Sequence, residues 1–259
     1  MADGRITLIG GGPGDPELIT VAGYKALMAA DVVLADKLGP TALLAELPED
    51  VLVIDVGKSP GCHVKTQDET NELLVKYALE GKRVVRLKGG DPFVLGRGGE
   101  EMLYAAEYGI PVRVIPGITS AVSVPMAAGI PVTHRGIAAG FTVVSGHGEL
   151  ADVPIRSDHT LAVLMGVSNL PQIVETLLTR GLPSSTPIAI VERGYSQTQR
   201  TTIGTLEGIV KRARKAAVAN PAVIVIGDVV RLAPEASDQL VDLLPLVNAE
   251  ATAPASFVD

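Results

Sequence analysis

Apolar, β-rich runs alternate with helical patterns along almost the whole chain, and the early runs end in loops rich in glycine and charge. Residues 6–10, 32–35, 52–56, 82–87 and 112–115 read as strands, and 17–30, 100–108 and 118–128 as helices. That alternation restricts the chain to an α/β architecture. Local signals agree with it. Asp15 is placed to cap a helix that has Pro16 at its first position. Thr66-Gln67-Asp68-Glu69 has the form of a capping box, Leu73, Leu74, Tyr77 and Ala78 share one helix face, and Gly81 closes that helix. Four strand ends therefore offer functional loops: 11–15, Asp36, Lys58 and 89–97.

Residues 131–140 interrupt the pattern. Beyond them 141–145, 160–165, 187–191 and 222–226 read as strands, with helices over 170–180 and 206–217. The expectation is two α/β domains, 1–134 and 135–245. Residues 246–259 show no periodic face and read as a disordered tail. A hydrophobic content of 47% supplies a sizeable core, yet no apolar run approaches the roughly 18 residues of a membrane span. The start carries no basic-then-apolar signal, and the single Cys62 can form no internal disulfide, so a reducing cytoplasm is expected. A formal charge of -7, no tryptophan and 3% aromatics argue against nucleic-acid binding. The basic run Lys211-Arg212-Ala213-Arg214-Lys215 reads as the solvated end of an amphipathic helix.

The loops carry the chemistry. Gly10-Gly11-Gly12-Pro13-Gly14-Asp15 follows the first strand, but it fails as a dinucleotide loop: Asp15 stands where the third glycine belongs, and Pro13 removes a backbone donor. No Walker loop is present either. Asp15, Asp36 and Asp91 at separate strand ends suit a ligand with a positive centre and hydroxyls, although each is equally suited to a cap or a turn. Arg86-Leu87-Lys88-Gly89-Gly90-Asp91-Pro92-Phe93, continued by Gly96-Arg97-Gly98-Gly99-Glu100-Glu101, has the composition of a binding loop. Lys58, His63, Arg86, Lys88, Arg97, His134, Arg135 and His147 fall at or near loops and segment ends, which points to a polycarboxylate as second ligand. Arg86, Lys88, Arg97, His134 and Arg135 are assigned to that substrate. The histidines are not spaced as metal ligands, so no metal is expected.

In chain order, Gly10-x-Gly12-Pro13-Gly14-Asp15-Pro16, Asp36, Gly57-Lys58, the 86–97 run, Pro116-Gly117-Ile118-Thr119-Ser120-Ala121 and Gly129-Ile130-Pro131-x-Thr133-His134-Arg135 resemble the tetrapyrrole (class III) methyltransferases. The resemblance extends through Ser145-Gly146-His147, Met165-Gly166, Thr186-Pro187-x-Ala189, Gln199-Arg200 and Ile226-Gly227, about residues 5–232. It implies S-adenosylmethionine folded into a cleft between the two domains. Pro13, Gly89, Gly90, Asp91, Val94, Thr119, Ser120, Met165, Ala189 and Gly194 match the family's cofactor positions. Asp36 matches the position of a proton acceptor and Lys58 that of a proton donor. The implied reaction is C-methylation of uroporphyrinogen III on rings A and B to precorrin-2, for siroheme or cobalamin, by a homodimer. The alternatives are a later precorrin methyltransferase or a non-catalytic tetrapyrrole-binding protein. Ala35, Lys37 and Gly39 depart from the family's common residues, which bears on the substrate pocket rather than the cofactor site.

Overall fold

A computed structural model describes residues 4–57, 65–148, 150, 153–156 and 158–236. The elements are β1 (Arg5–Gly10), α1 (Val21–Met28), β2 (Val32–Ala35), β3 (Leu52–Asp55), α2 (Gln67–Leu79), β4 (Arg83–Lys88), α3 (Gly98–Glu107), β5 (Val112–Ile115) and α4 (Ser120–Ala127). They continue with β6 (Gly140–Ser145), β7 (His159–Leu164), α5 (Leu170–Thr179), β8 (Pro187–Glu192), β9 (Arg200–Thr205), α6 (Ile209–Lys215) and β10 (Ala222–Ile226). Short 3₁₀ turns, among them Pro16–Leu18 and Thr41–Glu46, fill some of the connections.

Two five-stranded sheets result, in the orders β3-β2-β4-β1-β5 and β6-β7-β10-β8-β9. The first is wholly parallel. Its central strands are buried on both faces, which explains their unbroken apolar runs. Successive residues alternate between two cores. Ile9, Val33, Val85 and Leu87 pack with Leu27 of α1 and Leu43 of the second 3₁₀ turn. Ile6, Leu8 and Val84 pack with Leu74 and Ala78 of α2 and Ala105 of α3. The second sheet is mixed: β6 and β7 run parallel, β10 lies antiparallel to β7 and β8, and β8 forms an antiparallel pair with β9.

The capping box at Thr66 and Glu69 is formed in both directions, and Asp15 caps through a bond from the Glu17 N–H at 2.9 Å. The helix expected over 17–30 is divided, because Asp15 caps only the 3₁₀ turn and Thr20 starts α1 afresh. Strand β9 was not foreseen. Its sequence, Arg-Thr-Thr-Ile-Gly-Thr, holds one large apolar residue, and the signal was its β-branched content at a sheet edge. Helix α4 follows the first sheet in sequence but packs on the second, where Val124 shares a core with Ala189, Val191 and Val225.

Where β1, β4 and β5 end, three loops interlock through backbone. A Cβ on Gly10 would strike the backbone of Gly117, and one on Gly117 would strike Gly90 and Gly10. Gly12 and Gly90 form a two-way bridge, with N–H···O distances of 3.2 and 2.6 Å. Gly117→Ala has no room to relax, so it should cost about 2–3 kcal/mol or more in urea unfolding. A loss below about 0.5 kcal/mol would show the loops to be loosely held.

At the opposite end of the sheet, Asp31 takes a two-pronged bond from Arg83 at 2.6 and 3.0 Å and also the Arg83 backbone N–H at 2.7 Å. The Arg83 guanidinium holds the Asp31 carboxyl at about 2, below the usual carboxylate range, against a smaller upward push from burial. A depressed carboxyl stabilises the fold above its unfolded pKa, and that contribution disappears as pH falls through the folded value. Asp31→Asn should therefore be less stable than the parent at pH 6, by up to about 1 kcal/mol for so exposed a pair. The difference should close as pH falls from about 4 to about 2, as read by urea midpoints.

Candidate functional site

In the first sheet β1 and β4 are neighbours whose chains leave in opposite directions, β1 towards β2 and β4 towards β5. The crevice above such a pair is where open parallel sheets hold ligands. Pro13, Gly89, Gly90, Asp91, Val94, Thr119 and Ser120 all lie in the loops at this point or at the start of α4. Asp91 braces them, since its Oδ1 accepts the Phe93 N–H at 2.8 Å and its Oδ2 the Gly117 N–H at 3.0 Å. Thr119 caps α4 through Ala121 N–H at 3.4 Å. Gly90 lies against Ser120: a Cβ there would sit 3.6 Å from its backbone nitrogen and hydroxyl. The Ser120 hydroxyl has no hydrogen-bond partner among the described residues.

The second sheet brings its own loops to α4. Strands β6, β7 and β8 all point the same way, so Gly146, Met165 and Gly194 sit beyond one edge of that sheet. A Cβ on Gly194 would lie 2.9 Å from Val124 of α4. Val124 is one helical turn, about 6 Å, from Ser120. Loops from both sheets thus meet one short helix. Ala189 is fully buried beneath that helix, in the core that contains Val124.

Among the described residues six non-glycine residues adopt positive φ, and five of them are in loops after β4, β7 and β8: Leu95, Arg97, Met165, Arg193 and Tyr195. Such conformations cost of order 1–3 kcal/mol each and persist where the surroundings enforce them, typically at ligand sites. Met165 combines φ 56° with 44% exposure, an apolar thioether held open at a strand end.

Asp36 ends β2 and is fixed by the Leu38 N–H at 3.0 Å on Oδ1 and by Arg86 Nη2 at 3.2 Å on Oδ2. Lys58 and His63 lie outside the described residues, and Gly57 packs beside Asp36. Arg86 and Lys88 are not on the wall of the crevice. They are 7% and 5% exposed and converge on Glu101 Oε1, at 3.2 Å from Arg86 Nε and 2.9 Å from Lys88 Nζ. Burial, then the charge of Arg86, push the Lys88 ammonium below its ordinary value, while Glu101 and Asp36 oppose this. Glu101 is 2% exposed, takes a third bond from Gln67 at 3.2 Å, and leaves Oε2 without a hydrogen-bond partner among the described residues.

Glu101 was absent from the sequence-based candidates. The available signal was its helical register, one turn before the buried Ala105, whereas Glu100 faces solvent. Arg97 is exposed and paired with Glu100 at 2.9 and 2.7 Å. His134 and Arg135 are also exposed, and with Thr133, Asp158 and neighbouring backbone they line an open cavity of about 640 Å³ in the segment joining the sheets. A second cavity, about 630 Å³, lies at the amino ends of β1 and β4, away from the crevice. Among the described residues no group of three or more His, Cys, Asp or Glu is arranged to hold a metal ion, and no helix is long and apolar enough to cross a membrane.

Comparison with known proteins shows the family. Residues 5–210 match the model of the Tetrapyrrole (Corrin/Porphyrin) Methylases. A uroporphyrinogen-III C-methyltransferase of Methanocaldococcus jannaschii is 49% identical over 236 residues, which is 88% of this chain and 98% of the relative. The Priestia megaterium protein of the same name is 45% identical over 88% of this chain and 98% of its own. A Thermus thermophilus uroporphyrin-III C-methyl transferase, solved in complex with S-adenyl homocysteine, superposes with a TM-score of 0.76 at 42% identity, covering 88% of this chain and all of the other. The strand-end crevice, the shared helix and these likenesses describe a single protein type: the chain belongs to the tetrapyrrole (corrin/porphyrin) methylases.

Proposed function

We propose that the chain transfers methyl groups from S-adenosylmethionine to the pyrrole carbons of rings A and B of uroporphyrinogen III, giving precorrin-2 for siroheme or cobalamin. The observation that carries this reading is the meeting of glycine loops from both sheets at α4. The donor set suits the cofactor: tight glycine turns, a proline that removes one N–H, and the Thr119 and Ser120 hydroxyls favour a sulfonium nucleoside over a pyrophosphate. When bound, the cofactor supplies an electrophilic methyl group.

Pro13, Gly89, Gly90, Asp91, Val94, Thr119 and Ser120 would hold it from one side and Met165 and Gly194 from the other, with Ala189 as a small residue in the floor under α4. The protein's main contribution is then orientation and exclusion of water around an in-line attack. Asp36 is the proposed acceptor for the proton lost from the macrocycle, and Lys58 the proposed donor. Arg97, His134 and Arg135, exposed cations and donors on an acidic protein, are the proposed partners of the substrate's carboxylates. The reading includes a domain boundary between residues 134 and 135, a homodimer, and a cytoplasmic location, without nucleic-acid or membrane partners.

Anaerobic incubation with uroporphyrinogen III and S-adenosylmethionine should raise the product mass by one and then two methyl increments. Methylation of later precorrins alone would replace this reading with another member of the family. Asp91→Ala frees the Gly117 N–H and the 93–97 turn, so S-adenosylhomocysteine affinity should fall by about tenfold or more in calorimetry. An unchanged dissociation constant would remove Asp91 from the cofactor site. Arg97→Ala should raise KM for the tetrapyrrole about tenfold with cofactor affinity unaltered, and normal Michaelis parameters would refute the assignment.

A further inference from the structure

We propose that Arg86 and Lys88 do not clamp substrate carboxylates: with Glu101 they form a buried brace in which Arg86 positions Asp36. The proposal rests on the reading of Asp36 as the group that meets the macrocycle. Every nitrogen of the Arg86 guanidinium is already engaged. Nε donates to Glu101 at 3.2 Å, Nη1 to the Leu87 carbonyl at 2.8 Å and the Leu34 carbonyl at 3.4 Å, and Nη2 to Asp36 at 3.2 Å. Its planar fork spans two carboxylates at once in a fixed geometry that a lysine's single ammonium does not impose.

Charge closes the argument. Two cations, Arg86 and Lys88, face two anions, Glu101 and Asp36, and the side chains of Arg86, Lys88 and Glu101 are at most 8% exposed. Drawing either cation outward to a substrate carboxylate would strip a fully buried Glu101 of a partner, the strongly unfavourable way to break an internal pair. Among the described residues Glu101 Oε2 already lacks a hydrogen bond, so these give the cluster no reserve with which to compensate. The side of the brace that reaches solvent is Asp36, whose side chain is 21% exposed. Its Oδ1 is held by Leu38 and its Oδ2 by Arg86, so the carboxylate plane is set from both ends while lone pairs remain for a substrate proton.

The test uses the full chain with Arg86→Met, Lys88→Met, Asp36→Asn and the Arg86→Met/Asp36→Asn double variant. Uroporphyrin III, a stable fluorescent octacarboxylate, probes binding without turnover. Binding should stay within about twofold for Arg86→Met and Lys88→Met, whereas weakening by about tenfold in either would restore the clamp and overturn the proposal. Turnover of uroporphyrinogen III by Arg86→Met should drop about tenfold or more at unchanged KM, and the double variant should be no slower than the slower single. Multiplicative losses, or unchanged turnover in Arg86→Met, would also overturn it. Arg86→Lys serves if the methionine variant does not fold, and it should keep porphyrin affinity while losing turnover. Absence of turnover in the unaltered protein would sink the methylation reading alone, because the porphyrin affinities still decide between clamp and brace.

Discussion

The close approach of Gly10, Gly90 and Gly117 sets the geometry on which the rest of the molecule depends. Three strands end side by side, and their loops touch backbone to backbone because no side chain intervenes. Asp91 then spans the gap between two of these loops with one oxygen on each. From that knot the chain enters α4, so the direction of α4 follows from the knot, and α4 in turn carries the second sheet through Val124. A fault at the glycines would therefore reach the far wall of the crevice within one helix length.

The same end of the first sheet also has to manage charge. The chain is acidic by -7, yet its proposed substrate is a polycarboxylate, so attraction has to be local. The structure separates two kinds of cation near the crevice. Arg97 stays at the surface, while Arg86 and Lys88 are internal and neutralised by Glu101 and Asp36. Only the first kind can meet a ligand without a large desolvation penalty.

Much of this was legible in the residues. Buried strands read as continuous apolar runs, so β2 and β10 fall where the runs do, and the capping box fixed the start of α2. The glycine motifs marked the loops that interlock at the strand ends. Three things were not legible. Edge strand β9 holds one large apolar residue, so its pattern resembles a loop, and α1 begins one turn late because Asp15 and Thr20 both offer caps. A strand's alternation shows that Arg86 and Lys88 share a face, but not that an acid on α3 lies beneath it.

The strained loop after β8 shows how the fold supports backbone that it could not otherwise keep. Arg193 and Tyr195 both hold positive φ around Gly194. Just before them, the fully buried Glu192 takes a two-pronged bond from Arg200 at 2.9 and 2.7 Å and the Ala219 N–H at 3.0 Å. These partners hold its carboxyl below the usual range although burial pushes it up. Just after them, Gln199 accepts the Tyr195 N–H at 2.9 Å and donates to the Ala127 carbonyl at the end of α4, also at 2.9 Å. The loop is thus anchored to its own sheet on one side and to the shared helix on the other. Two separate anchors are what a pair of left-handed residues requires to persist. They also fix Gly194 against Val124, which keeps the second sheet's loop beside the first sheet's crevice.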